Sequence, residues 1–167
     1  MTVQHRCSSL VAPDDLWQAA RTVELTDTRM LGRLVRWRIP GVPAQATFED
    51  LFRHPPFIVL DDDKNALVSG LVGRIWTLRR DYPVLENLEE FRDWSKSGTA
   101  KVVFAHWVEA ADGTDSEGSL LRSEARVKSY GSRGRIGLAS VRPLISRFQQ
   151  LVANDALAAA VRAAERR

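Results

Sequence analysis

The chain has 167 residues, 44% hydrophobic and 27% charged, and its 24 Lys and Arg against 21 Asp and Glu leave a net charge of +3. That length fits one domain with a core that needs no covalent staple, and apolar runs of only about four residues, with no signal pattern, exclude a membrane span. The small, sign-mixed charge comes without a zinc-finger, RNP-like or recognition-helix pattern, so nucleic acid is not expected as a partner, and a lone Cys7 predicts a reducing, cytoplasmic setting.

Val3, His5, Cys7 and Ser9 alternate with Gln4, Arg6, Ser8 and Leu10, which predicts a first strand. Pro13-Asp14-Asp15 reads as the first turn of a helix whose apolar side is Leu16, Trp17 and Ala20. A second helix is predicted from Asp27 as N-cap through Met30, Leu31, Leu34 and Val35, ended by Pro40-Gly41-Val42-Pro43. The stretch "TFEDLFRHPP" predicts one more helical turn. "FIVL" (57–60) and "ALVSGLVGRIW" (66–76) then form a hairpin around Asp61-Asp62-Asp63-Lys64-Asn65. These aspartates lack the alternate spacing and closing glutamate of a calcium loop, so they read as a solvated turn.

"LENLEEFRDW" (85–94) predicts a short amphipathic helix, and two long strands follow at about 99–110 and 119–129. In the second, Leu121, Ser123, Ala125 and Val127 share one face, while Arg122, Glu124, Arg126 and Lys128 share the other. Centring the connecting loop makes facing residues sum to ~229. His106 then opposes Ser123, Phe104 opposes Ala125 and Val102 opposes Val127, all facing inward. Trp107 opposes Arg122 and Ala105 opposes Glu124 on the wet face, a guanidinium beside an indole. From Leu138 through Val141, Leu144, Ile145, Phe148, Leu151 and Val152 the spacing is helical. Pro143 predicts a kink or a late start to that helix. "YGSRGRIG" (130–137) reads as a flexible connection, its glycines not matching G-x-G-x-x-G.

Candidate chemistry centres on "FAHWVE" (104–109). His106 is either a satisfied core histidine or a pocket-lining group beside Ser123, and it is the one weak catalytic candidate. Both faces of the 66–76 strand are nearly apolar, so which one is inward stays open. With the Arg74 and Trp76 face inward, Arg74 would meet a ligand carboxylate or phenolate; otherwise it snorkels or pairs with Glu124. His5, His54, His106 and Cys7 show no metal-ligand spacing, and no nucleophile elbow is present, so no metal or cofactor is predicted.

The order of elements resembles the START/Bet v 1-like (SRPBCC) superfamily, which includes polyketide cyclases. "APDDLWQAAR", "GLVGRIW", "EEFRDWSKSGTAKVVFAHWVE", "LLRSEARVKSY" and "RPLISRFQQLVANDALAAAVRAAE" carry the resemblance over nearly the whole chain. It implies a single α+β domain, 1–167, with a helix-grip fold: a curved antiparallel sheet around a long C-terminal helix, with short helices after the first strand. It also implies a hydrophobic cavity for an apolar or amphipathic small molecule. The residues read as ligand contacts are His106, Ser123, Phe104, Arg74 and Trp76. The alternative is a cyclase or aromatase-like enzyme in which His106 acts as acid and base. A third reading is an interaction protein whose basic C-terminal end meets a partner or an anionic membrane. Self-association as a homodimer is left open.

Overall fold

A computed structural model describes the chain apart from residues 29–30, 40, 78–81, 112–117 and 167 and the side chains of 31, 38 and 142–154. In chain order the elements are β1 (Thr2–Ser9), α1 (Pro13–Thr22), a 3-10 turn (Leu25–Asp27), α2 (Leu31–Arg38) and α3 (Phe48–Arg53), followed by β2 (Ile58–Asp63), β3 (Ala66–Gly73), α4 (Leu88–Asp93), β4 (Ala100–Ala110), β5 (Ser119–Ser129) and α5 (Gly131–Ala164). The five strands form one antiparallel sheet in the order β1-β5-β4-β3-β2. The fold is α+β, as expected. No described helix is long and apolar enough to cross a membrane.

The β4–β5 register is the expected one: His106 faces Ser123, Phe104 faces Ala125 and Val102 faces Val127. The sheet extends this row on both sides. Ser123 also faces His5 of β1, and His106 faces Leu67 of β3. Strand parity therefore puts Leu67, Ser69, Leu71 and Gly73 on the inner face with His106.

Several expectations are corrected. Asp61, Asp62 and Asp63 belong to β2, paired with Val68, Leu67 and Ala66, so the turn shrinks to Lys64-Asn65. An edge strand tolerates such acids because they face solvent and discourage further pairing. Strand β3 stops at Gly73, whose φ of +144° bends the chain before Arg74 and Trp76. Asp27 ends the 3-10 turn, where its side chain accepts from the Glu24 amide and the Glu24 side chain from the Asp27 amide, and does not start α2. Met30 and Pro40 lie outside the described residues.

Helix α5 starts at Gly131, so "GSRGRIG" is its first two turns and not a flexible connection. The glycines are there for contact. Gly131 has a φ of +71° beside Ser97, and a Cβ on Gly137 would lie 2.4 Å from the Trp76 ring. Alanine for glycine within a helix ordinarily gains about 1 kcal/mol. Here overpacking against Trp76 reverses the sign: Gly137→Ala is expected to lose about 1–2 kcal/mol, read from the midpoint of a denaturant titration.

Among the described residues two apolar clusters form the core. One joins Leu16 and Trp17 of α1 to Val108, Leu121, Leu157 and Ala160, so the C-terminal part of α5 closes one end of the sheet. The other joins Leu71, Ala100, Val102 and Val127, with Trp76 and Leu138 packed against it. The predicted apolar residues Leu144, Ile145, Phe148, Leu151 and Val152 fall on side chains outside the described set. On the opposite face, Phe91 of α4 sits on Gly70.

Candidate functional site

His106 lies in the middle of β4 with 6% of its surface exposed. Helix α3 builds its surroundings. Thr47 and Asp50 form a reciprocal capping box that starts this helix, and the helix then presents Phe48 and Phe52 to the imidazole. The Phe48 and Phe52 rings lie 4.8 and 4.7 Å from the imidazole, centroid to centroid. Phe52 also meets Phe57 at 5.0 Å and Phe104 at 5.4 Å, making one continuous aromatic patch. Two further devices hold α3 down. The fully buried Ser69 hydroxyl donates to the Phe52 carbonyl at 2.9 Å. Glu49 accepts from Arg21 of α1 and from Arg53, and Arg53 donates onward to Asp62 at 2.7 Å.

Inside this apolar shell the His106 Nε2 has no hydrogen-bond partner, although it is buried. Desolvation pushes its pKa down to about 3. The imidazole is therefore neutral through the physiological range, with a proton on one ring nitrogen and an acceptor lone pair on the other. His5, in the same cross-strand row, also has a buried Nε2 without a partner, and burial lowers its pKa as well. A third orphan is the indole N–H of Trp17, in the cluster at the end of the sheet. Buried polar atoms are nearly always satisfied, so a row containing two orphans is uncommon in a finished core.

The remaining candidates divide. Ser123 stands between His5 and His106, and Phe104 is two residues along β4 on the same face, so these join the site. Trp76 is half-buried against Gly137 of α5, in the second cluster. Arg74 is exposed in the turn after β3, where its carbonyl accepts from the Thr77 amide and hydroxyl. Its suggested alternative partner, Glu124, is held by Arg126 and, at 2.6 Å, by Gln4. Arg122 likewise bonds Glu109, which also accepts from the Trp107 indole at 3.3 Å. The contributions of His5, Phe48 and Phe52 were not anticipated. An open groove of about 540 Å³ is lined by the outer-face residues Ala66, Val68, Val103, Ala105 and Trp107, with His106 and Val108 of β4 also bordering it. Among the described residues no group of three or more His, Cys, Asp or Glu could hold a metal.

No protein-family model and no curated protein matches the sequence. Among solved structures, TTHA0849 from Thermus thermophilus superposes with a TM-score of 0.41 at 10% identity, covering 99% of this chain and 98% of that one. Ara h 8.0201 gives a TM-score of 0.38 at 15% identity, covering 100% and 99%. The Zhui aromatase/cyclase from a Streptomyces species gives 0.36 at 14% identity, covering 100% and 94%. In this chain β1 lies beside the last strand, a meander runs from there back to β2, and a long helix ends the chain.

Proposed function

We propose that this chain binds an apolar or amphipathic small molecule against the inner face of the sheet, with His106, Ser123 and Phe104 as its contacts. Trp76 would be a further contact, from the second apolar cluster, and Arg74 would stand outside, in the exposed turn after β3. The observation that carries this reading is the buried, unpartnered Nε2 of His106 within an aromatic patch. A few polar groups in an apolar surround are how ligand sites fix orientation. A cytoplasmic setting accords with the single thiol Cys7, whose pKa is raised by burial and by Glu165.

The alternative, a cyclase or aromatase-like enzyme, asks His106 to exchange protons near neutral pH. A general acid or base works best with a pKa near the operating pH, and this one is held near 3. Binding without turnover is the reading this favours. Native mass spectrometry of freshly purified protein should show a co-purifying small molecule, and its occupancy should fall in His106→Phe. A clean apo mass, together with no uptake of a neutral aromatic probe, would overturn the proposal.

A further inference from the structure

The row His5–Ser123–His106 runs across three adjacent strands on one face. The backbones of its two histidines stand two strand spacings apart, roughly 9–10 Å. Both have a buried Nε2 that nothing in the protein satisfies, with a hydroxyl between them. By strand parity every other inner-face position of β1, β3, β4 and β5 is uncharged: Val3, Cys7 and Ser9, for example, or Val102, Phe104 and Val108. A carboxylate or phosphate placed against this row would meet no compensating charge from the strands, and a buried unpaired ion is strongly disfavoured. A hydroxyl group suits it instead, because it can donate to one imidazole tautomer and accept from the other.

We infer that His5 is a second binding residue, and that the ligand is an uncharged aromatic molecule carrying hydroxyl groups toward both His5 and His106. This rests on the binding reading above and adds to it a two-ended contact and selection against anions.

The test uses four probes on related frames, with affinities measured by titration calorimetry on the full chain. Bisphenol A has two phenols, cumylphenol has one, diphenylpropane has none, and diphenolic acid adds a carboxylate. Bisphenol A should bind about tenfold tighter than cumylphenol, one hydrogen bond's worth, and diphenolic acid should bind least well of the phenols. His5→Phe should bring bisphenol A down to the cumylphenol level and leave cumylphenol unchanged, while His5→Gln should restore most of the difference. Equal binding of the two phenols, equal losses in His5→Phe, or diphenolic acid matching bisphenol A would overturn this inference while leaving the binding site standing. If none of the four binds and no molecule co-purifies, the binding reading itself fails, and this inference with it.

Discussion

Phe52→Ala is expected to cost about 3–5 kcal/mol of folding free energy, the range for removing a large buried aromatic side chain. Phe52 is 6% exposed and touches Phe48, Phe57, Phe104 and His106, so its loss leaves a hole at the centre of the patch. Relaxation is restricted, because the Phe52 carbonyl is tied to Ser69 and Glu49 is clamped between Arg21 and Arg53. A chemical denaturation curve measures the loss. A second readout ties it to the site. Water admitted through the hole should lift the His106 pKa toward its ordinary value, visible as an imidazole titration by NMR well above pH 3. A loss below about 1 kcal/mol, with the His106 titration unmoved, would show that α3 does not roof this residue.

How far the sequence spoke for itself depended on how local the governing contact was. The β4–β5 register could be read because a hairpin fixes its pairing by its own loop, and the charged alternation of Arg122, Glu124, Arg126 and Lys128 marks the wet face. The orientation of β3 could not. Alternation fails when both faces are covered, and Phe91 of α4 rests on Gly70 opposite the face that carries Ser69 and Leu71. The place of Arg74 stayed open for the same reason: nothing local announced that the strand would end at Gly73. His5 could be placed on an inward face by alternation alone, but its meeting with Ser123 depends on β1 finding the last strand from the far end of the chain. The glycines of "YGSRGRIG" look like a pliable loop in one dimension. In three they are the clearance that lets α5 pass Ser97 and Trp76. The helical turn in "TFEDLFRHPP" was legible, whereas the imidazole beneath it was not.

The pH dependence of stability should carry the signature of His106. In the unfolded chain this imidazole takes up a proton near its ordinary value of 6.5, whereas in the folded protein it does so only near 3. Between those limits the unfolded state binds the extra proton, so stability must fall as the pH is lowered. The slope is about 1.4 kcal/mol per pH unit, reaching about 4–5 kcal/mol across the window. Above pH 6.5 both states are neutral and this contribution is flat. Glu49 and Asp50 also lose stabilising contacts in acid, since Arg21 holds the first below its ordinary pKa and Thr47 the second. Their losses, however, begin only as the pH approaches the ordinary carboxylate range. The interval from 6.5 to about 5 therefore belongs to the histidines, with His5 contributing in the same direction. His106→Phe separates the terms: it should be about 1–3 kcal/mol more stable at neutral pH, because it removes an unsatisfied buried nitrogen, and it should show a shallower acid slope in that interval. Denaturant midpoints measured for both proteins at half-unit steps would decide the matter. Parallel curves would mean that His106 reaches solvent or a partner when folded, and the site built around its isolation would have to be abandoned.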